Sequence, residues 1–431
     1  MNTPVCDFLK KYSESGFKRL HMPGHKGNPI LGFEQYDITE VKGADSLYEA
    51  EGIIKESEDN ASSLFSCPTF YSTEGSSHCI RAMLYIAKLN GVKKLLAGRN
   101  AHKTFVTAAA LLDLDVDWLY GSGSYLSCEI TKEELEKEIK ASKPDAVFIT
   151  SPDYLGNITN IKAISEVCKS FGIMLLVDCA HGAYLKFLPE SLYPTDLGAD
   201  MCCSSAHKPL PCLTGGAYLH IRDKKLCKSA KYALSIFGST SPSYLILQSL
   251  DKVNEYLSDG YKERLSRFVL KAERLKKFLR GNGYTLYEDE PLKITICTKA
   301  YGYTGFDFAE ELRKCSIECE FADPDFVVLM LGIDFDLEYL KEALLTIPPL
   351  SPITVFPPVF SKPERVMSLK EAVMSKSETV SVNDAEGKIL ATLNLSCPPA
   401  VPIAVCGEKL TENVIECFKY YGIEKIEIVS E

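Results

Sequence analysis

Short apolar runs alternate with helical patterns through the first 250 residues. The run 173–177 carries no polar residue and is bounded by Gly172 and Asp178. It is too short for a long helix and reads as a strand buried on both faces of a parallel sheet. Segments 93–97, 115–120, 146–150 and 201–203 predict further strands. Ile80, Met83, Leu84 and Ala87 recur at helical spacing, and helices are predicted over 105–112, 131–141 and 161–171. This rhythm predicts an α/β fold with a doubly wound, mostly parallel sheet. A short amphipathic helix precedes it, reaching about Phe17 with Phe8, Leu9 and Tyr12 on one side, and a long one follows from Leu245 to about Arg280.

From about Gly281 the pattern changes. Short alternating segments at 292–297 and 317–321, with helices near 306–315 and 337–345, predict a smaller C-terminal α+β domain. The expected division is therefore 1–280 and 281–431. The proline-rich stretch 348–363 reads as a linker or an extended arm.

A chain of 431 residues with 46% hydrophobic and 25% charged residues is an ordinary globular composition. The net charge of -10 argues against nucleic acid or an anionic membrane surface as partner. The sixteen cysteines are scattered, Cys202 and Cys203 are adjacent, and no Cys-x-x-Cys occurs. Reduced thiols in a cytoplasm are expected. No apolar run approaches the ~20 residues of a spanning helix, and residues 1–11 do not form a signal peptide.

The candidate chemistry begins at Asp178, at the C-terminal end of the predicted strand. In open α/β sheets ligands bind beyond the carboxyl ends of the strands. Lys208 follows thirty residues later, just after the second short apolar segment. An aspartate and a lysine delivered to one crevice suit pyridoxal phosphate: the lysine amine condenses with the aldehyde, and the aspartate holds the ring nitrogen protonated. Gly75, Ser76 and Ser77 open a predicted helix, where backbone amides and the helix dipole hold a phosphate; a plain serine cap is the alternative. His21 and His25 stand in a Gly/Pro-rich loop with no carboxylate or cysteine at ligand spacing, so no metal site is expected.

The words around these residues resemble the ornithine/lysine/arginine decarboxylase family, fold type I among the pyridoxal-phosphate enzymes. They are Asp178-Cys179-Ala180-His181-Gly182-Ala183, Ser204-Ser205-Ala206-His207-Lys208-Pro209-Leu210, and Leu213-Thr214-Gly215-Gly216. The loop Pro23-Gly24-His25-Lys26, the segment Asp37-Ile38-Thr39-Glu40, the words Arg99-Asn100-Ala101-His102-Lys103 and Thr240-Ser241-Pro242-Ser243-Tyr244, and Gly407-Glu408 near the end extend the likeness over most of the chain. It is to the shorter members, without an N-terminal receiver-like domain. Three positions depart from the family pattern: Glu74 for a usual Asn, Ala400 for a Gly and Cys406 for a Pro.

The resemblance implies decarboxylation of a basic L-amino acid to a polyamine precursor, with arginine the first choice ahead of lysine and ornithine. It implies Lys208 as the Schiff-base lysine, Asp178 at the ring nitrogen, His102 flat against the ring and His181 on the side of the 3′-oxygen. Gly75, Ser76, Ser77, Ser205 and His207 would hold the phosphate. Thr240 and Ser241 would reach the phosphate of a neighbouring subunit, which makes the unit at least a homodimer. A distal cation needs a carboxylate, for which Glu40, Asp45 and Glu74 are candidates, with loop caps the alternative for the first two. An aminotransferase or β-eliminating enzyme shares the Asp/Lys pair but needs an arginine for the retained carboxylate, and Arg99 is the arginine inside the matched words.

Overall fold

The computed structural model describes residues 1–121, 127–287, 290–396 and 402–430. Ala400 lies outside them. The chain forms two units, Met1–Val92 with Ile161–Arg264, and Lys93–Asn160 with Leu265–Glu431.

With elements numbered along the chain, the first unit contains strands β1 (Thr69–Ser72), β5 (Met174–Asp178), β6 (Met201–Ser205) and β7 (Ala217–Ile221) in the order β1-β7-β6-β5. β5 and β6 run parallel, with Asp178 opposite Cys203. β7 is antiparallel to both β6 and β1, so β1, β5 and β6 share one direction and β7 is reversed. Every residue of β6 and β7 is buried, which explains why these strands do not alternate. The polar groups this buries satisfy one another: His220 bonds Thr69 and Ser204 at 3.0 and 3.1 Å, and Tyr193 bonds Ser204 at 2.9 Å. Burial pushes the His220 pKa down to about 3, so its ring is neutral.

The helices of this unit are α1 (Pro4–Glu14), α2 (Ile53–Phe65), α3 (Gly75–Leu89), α6 (Ile161–Phe171), α7 (Ala230–Phe237) and α8 (Tyr244–Ser258). α1 ends three residues before Phe17. Its first turn is fixed from a distance: Asp251 of α8, fully buried, accepts the amides of Val5 and Cys6 at 3.0 Å each and the Ser57 hydroxyl at 2.6 Å. The long helix expected from Leu245 to Arg280 is instead two, α8 and α9 (Tyr261–Gly281). Gly260 between them has φ +61°, in the left-handed region, where an α-helix cannot continue.

The second unit contains three parallel strands, β2 (Lys94–Gly98), β3 (Asp115–Leu119) and β4 (Ala146–Thr150), with β2 in the middle, and helices α4 (Lys103–Leu111) and α5 (Lys132–Ser142). Thr131 and Glu134 form a capping box on α5. Beyond α9 come β8 (Lys293–Cys297), β9 (Phe321–Ala322) and β10 (Phe326–Met330), an antiparallel sheet centred on β10, with α10 (Gly305–Lys314) and α11 (Leu337–Thr346). The strand expected over 317–321 is reduced to β9 because residues just before it serve to stop α10: Ser316 takes φ +57° and the Ile317 amide returns to Leu312. α12 (Leu369–Met374), α13 (Glu412–Tyr420) and two antiparallel pairs, β11 (Ser377–Ser381) with β14 (Lys425–Val429) and β12 (Asn394–Ser396) with β13 (Pro402–Val405), complete the unit.

Arg99, at the end of β2, is fully buried and forms a bidentate pair with Glu408 at 2.6 and 2.7 Å. Its Nε donates to the Pro402 carbonyl at 3.2 Å, and the guanidinium lies 5.3 and 5.2 Å from the Trp118 and Tyr120 rings. Removing one member of such a pair strands a buried charge, which typically costs about 3–5 kcal/mol. Among the described residues no helix is long and apolar enough to cross a membrane, and the fifteen described cysteines form no disulfide.

Asp323 supports the turn before β10 by accepting the amides of Asp325 and Phe326 at 2.7 Å each. Burial, with the nearby Asp325 charge, pushes its pKa up to about 7. The folded state therefore holds a proton there that the unfolded chain releases near pH 4, so this group's contribution to stability falls as pH rises from about 4 to about 7. Urea unfolding of the Asp323→Asn variant should show a flatter pH dependence than wild type across that window. An unchanged slope would remove Asp323 as its source.

Candidate active site

Parallel pairing brings the C-terminal ends of β5 and β6 to one edge of the first unit's sheet. Asp178 closes β5, is 3% exposed, and accepts the Ala180 amide at Oδ1 over 3.1 Å. The Cys203 thiol, opposite on β6, lies 3.5 Å from the same oxygen. The chain then turns, with the Gly182 amide bonded to the Cys179 carbonyl, and presents His181. His181 Nε2 lies 2.8 Å from Lys208 Nζ. When the lysine is protonated it donates and the imidazole accepts.

Lys208 occupies the hairpin between β6 and the reversed β7. Ser205 and Ala217 face each other at its base, and His207 closes it through its amide and Nδ1, which bond the Gly216 carbonyl at 3.2 and 2.9 Å. Gly215 has φ +104°, and a Cβ there would lie 2.7 Å from the Thr73 carbonyl oxygen. That close approach lets the Gly215 carbonyl accept the Gly75 amide at 2.7 Å. The start of α3 is thereby fastened to the lysine hairpin, and the Ser205 hydroxyl donates to Ser76 at 2.9 Å. No side-chain cap closes α3, so the plain serine-cap alternative does not describe Ser76 and Ser77; Ser77 is half-buried in the first turn.

Residues 239–241 are exposed and lead into α8. The Ser241 amide donates to Ser239 Oγ at 3.1 Å, and the Ser239 amide donates to Glu74 Oε1 at 2.6 Å. Glu74, the departure from the family pattern, therefore ties this loop to the start of α3 within one chain. His102 belongs to the second unit. It is exposed at the N-cap of α4, and its Nδ1 accepts the Thr104 amide at 3.2 Å, which fixes the ring's orientation.

Of the carboxylates considered for a distal cation, Asp45 is committed elsewhere. Its oxygens accept five backbone amides, from Ser46, Glu51, Gly52, Ile54 and Lys55, and its pKa is lowered although burial opposes the shift. Asp45 is a loop cap. Glu40 is exposed and accepts the Thr39 hydroxyl at 2.6 Å. Arg99 is equally committed, to Glu408. Sequence reasoning did not foresee the Glu74 tether, the Gly215 link or the Cys203 contact. The paired glycines after Lys208 were the available signal for the second; the others carry no pattern of their own. Among the described residues no group of three or more His, Cys, Asp or Glu side chains is gathered as a metal site.

Pyridoxal phosphate fits this donor set: a lysine amine, a buried carboxyl at a strand end, two bonded hydroxyls, and an uncapped helix start fastened to the lysine's own hairpin. The comparisons agree. The chain matches the Orn/Lys/Arg decarboxylase major domain over residues 3–339 and the C-terminal domain of that family over 355–425. It is 28% identical to the arginine decarboxylase of Halalkalibacterium halodurans over 460 aligned positions, covering 95% of this chain and 91% of the relative. It is likewise 28% identical to the arginine decarboxylase of Bacillus subtilis, covering 97% and 93%. The crystal structure of a Francisella novicida lysine decarboxylase superposes with a TM-score of 0.81 at 16% identity, covering 99% of this chain and 81% of that one, and so shares the fold. The chain belongs to the Orn/Lys/Arg decarboxylase family and is a pyridoxal-phosphate-dependent decarboxylase of fold type I.

Proposed function

We propose that this enzyme decarboxylates a basic L-amino acid, arginine first and lysine or ornithine after it, to carbon dioxide and the amine that enters polyamine synthesis. One observation carries the reading: a lysine, a buried carboxyl and two hydroxyls converge on one strand edge, in a chain similar over its length to arginine decarboxylases. When bound, the cofactor supplies an electron sink for the carbanion left by loss of the α-carboxyl group.

Lys208 carries the amine that would hold the cofactor aldehyde, for which it must first shed a proton. His181 Nε2, 2.8 Å from Nζ, is the acceptor at hand. Lys208 or His181 would then return a proton to the substrate carbon. Asp178 would keep the ring nitrogen protonated, and His102 would be the residue that stacks on the ring. Ser76, Ser77 and Ser205 would hold the phosphate at the start of α3, in the turn shaped by Gly75 and His207. Thr240 and Ser241 would complete that phosphate site from a second copy of the chain, making the functional unit a homodimer or a higher homo-oligomer. We assign the enzyme to the cytoplasm and place the boundary between the cofactor-binding part and the smaller part near residue 280. The commitment of Arg99 to Glu408 disfavours an aminotransferase, because no clamp for a retained carboxylate comes from that arginine.

Incubated with arginine, lysine and ornithine in turn, the purified enzyme should release carbon dioxide and agmatine from arginine. Cadaverine or putrescine in its place would reassign the substrate, and no carbon dioxide from any of the three would overturn the proposal.

Glu40 is the carboxylate we assign to the distal cation. Losing a charge-assisted contact worth roughly 1.5 to 3 kcal/mol raises KM about ten- to a hundredfold while kcat holds. Steady-state kinetics of the Glu40→Gln variant should give that split. A wild-type KM would return Glu40 to the role of a surface loop residue.

A further inference from the structure

Asp178 is held by its neighbours in an uneven way. Both donors, the Ala180 amide at 3.1 Å and the Cys203 thiol at 3.5 Å, meet Oδ1. Cys203 faces Asp178 in the parallel register of β5 and β6, and side chains at paired positions point to the same side of a sheet. That side also carries Ser205, two residues further along β6, whose hydroxyl bonds Ser76 at the start of α3. The thiol is wholly enclosed. Burial, and then the Asp178 charge, push its pKa well above the ordinary cysteine value, so it keeps its proton and remains a donor. Cys79, a second thiol near Asp178, is fully buried in α3, and burial pushes its pKa up as well.

We infer that Cys203 is a positioning residue for the reaction: its thiol, donating to Oδ1 of Asp178, fixes the carboxyl so that Oδ2 is the oxygen left for the cofactor's ring nitrogen. The inference rests on the assignment of Asp178 to that nitrogen. A carboxyl anchored at one oxygen by two donors, one from the turn after β5 and one from β6, cannot rotate about its last bond without breaking both. A thiol is a weak donor, suited to holding the group without neutralising it. Neither Cys203 nor the thiol-to-carboxyl contact is marked by any motif, since the residue lies inside an apolar strand.

The test uses the full-length enzyme and the variants Cys203→Ala, Cys203→Ser and Asp178→Asn. In infrared difference spectra against Cys203→Ala, the Cys203 S–H stretching band should lie on the hydrogen-bonded, low-frequency side, and it should move in Asp178→Asn. Cys203→Ala should raise the cofactor dissociation constant and lower kcat, each about fivefold, the equivalent of one ordinary hydrogen bond, with KM for the amino acid little changed. Cys203→Ser, which restores a donor in nearly the same volume, should recover both to within about twofold. Should Cys203→Ala fail to fold, Cys203→Ser serves as the reference for the difference spectrum, and the band's response to Asp178→Asn decides the matter.

A band that ignores Asp178→Asn would overturn the inference. So would serine behaving as badly as alanine, which marks a packing role, or both variants matching wild type. Full activity in Asp178→Asn would instead sink the ring-nitrogen assignment. An inactive Asp178→Asn beside unaffected Cys203 variants would sink the Cys203 inference alone.

Discussion

The parallel pairing of β5 with β6 is the constraint on which the site depends. Parallel strands end at the same edge, so Asp178 and Ser205 emerge together from two chain segments 27 positions apart. Register matters as much as direction. A slip of one residue would turn Asp178 and Cys203 to opposite faces of the sheet and point Ser205 away from Ser76. β7 then reverses direction and closes a hairpin on the same edge, and the lysine is carried in that hairpin. Backbone topology thus gathers the groups before any side chain interacts.

The hydrogen bonds at the edge lock what the strands deliver. The Gly75 amide on the Gly215 carbonyl and the Ser205 hydroxyl on Ser76 join the start of α3 to the lysine hairpin, so neither can shift alone. Glu74 extends the linkage to the loop before α8. Its replacement of a neutral residue reads as an added tether, because a carboxylate accepts a backbone amide more strongly than a neutral oxygen does. In the second unit the Arg99–Glu408 pair does comparable work, fixing the end of β2 three residues before His102 caps α4.

Much of this was legible in the sequence, for physical reasons. The apolar run 146–150 is a strong signal because a strand buried in the sheet leaves few positions for polar residues, and 161–171 is one because its apolar residues recur at helical spacing among polar ones; both elements lie where the pattern places them. Asp178 stands out because a charged residue directly after such a run lies at a sheet edge. The reversal of β7 was not legible, since an antiparallel strand buried on both faces has the same composition as a parallel one. The break at Gly260 was hidden by continuous amphipathic periodicity on either side of it. Asp45 illustrates the opposite error: a carboxylate in a polar loop resembles a ligand, whereas its five amide donors come from residues up to ten positions later and become visible when the chain is folded. The partnership of Arg99 with Glu408 spans 309 positions and leaves no local trace.

On the proposed assignment, one edge of the first unit presents Lys208 to pyridoxal phosphate. Borohydride reduction of the purified enzyme, followed by peptide mapping, tests it most directly. Reduction should abolish the yellow absorbance and leave a single peptide bearing the reduced cofactor on Lys208. Label on any other lysine, or a preparation reconstituted with the cofactor that takes no label, would contradict it.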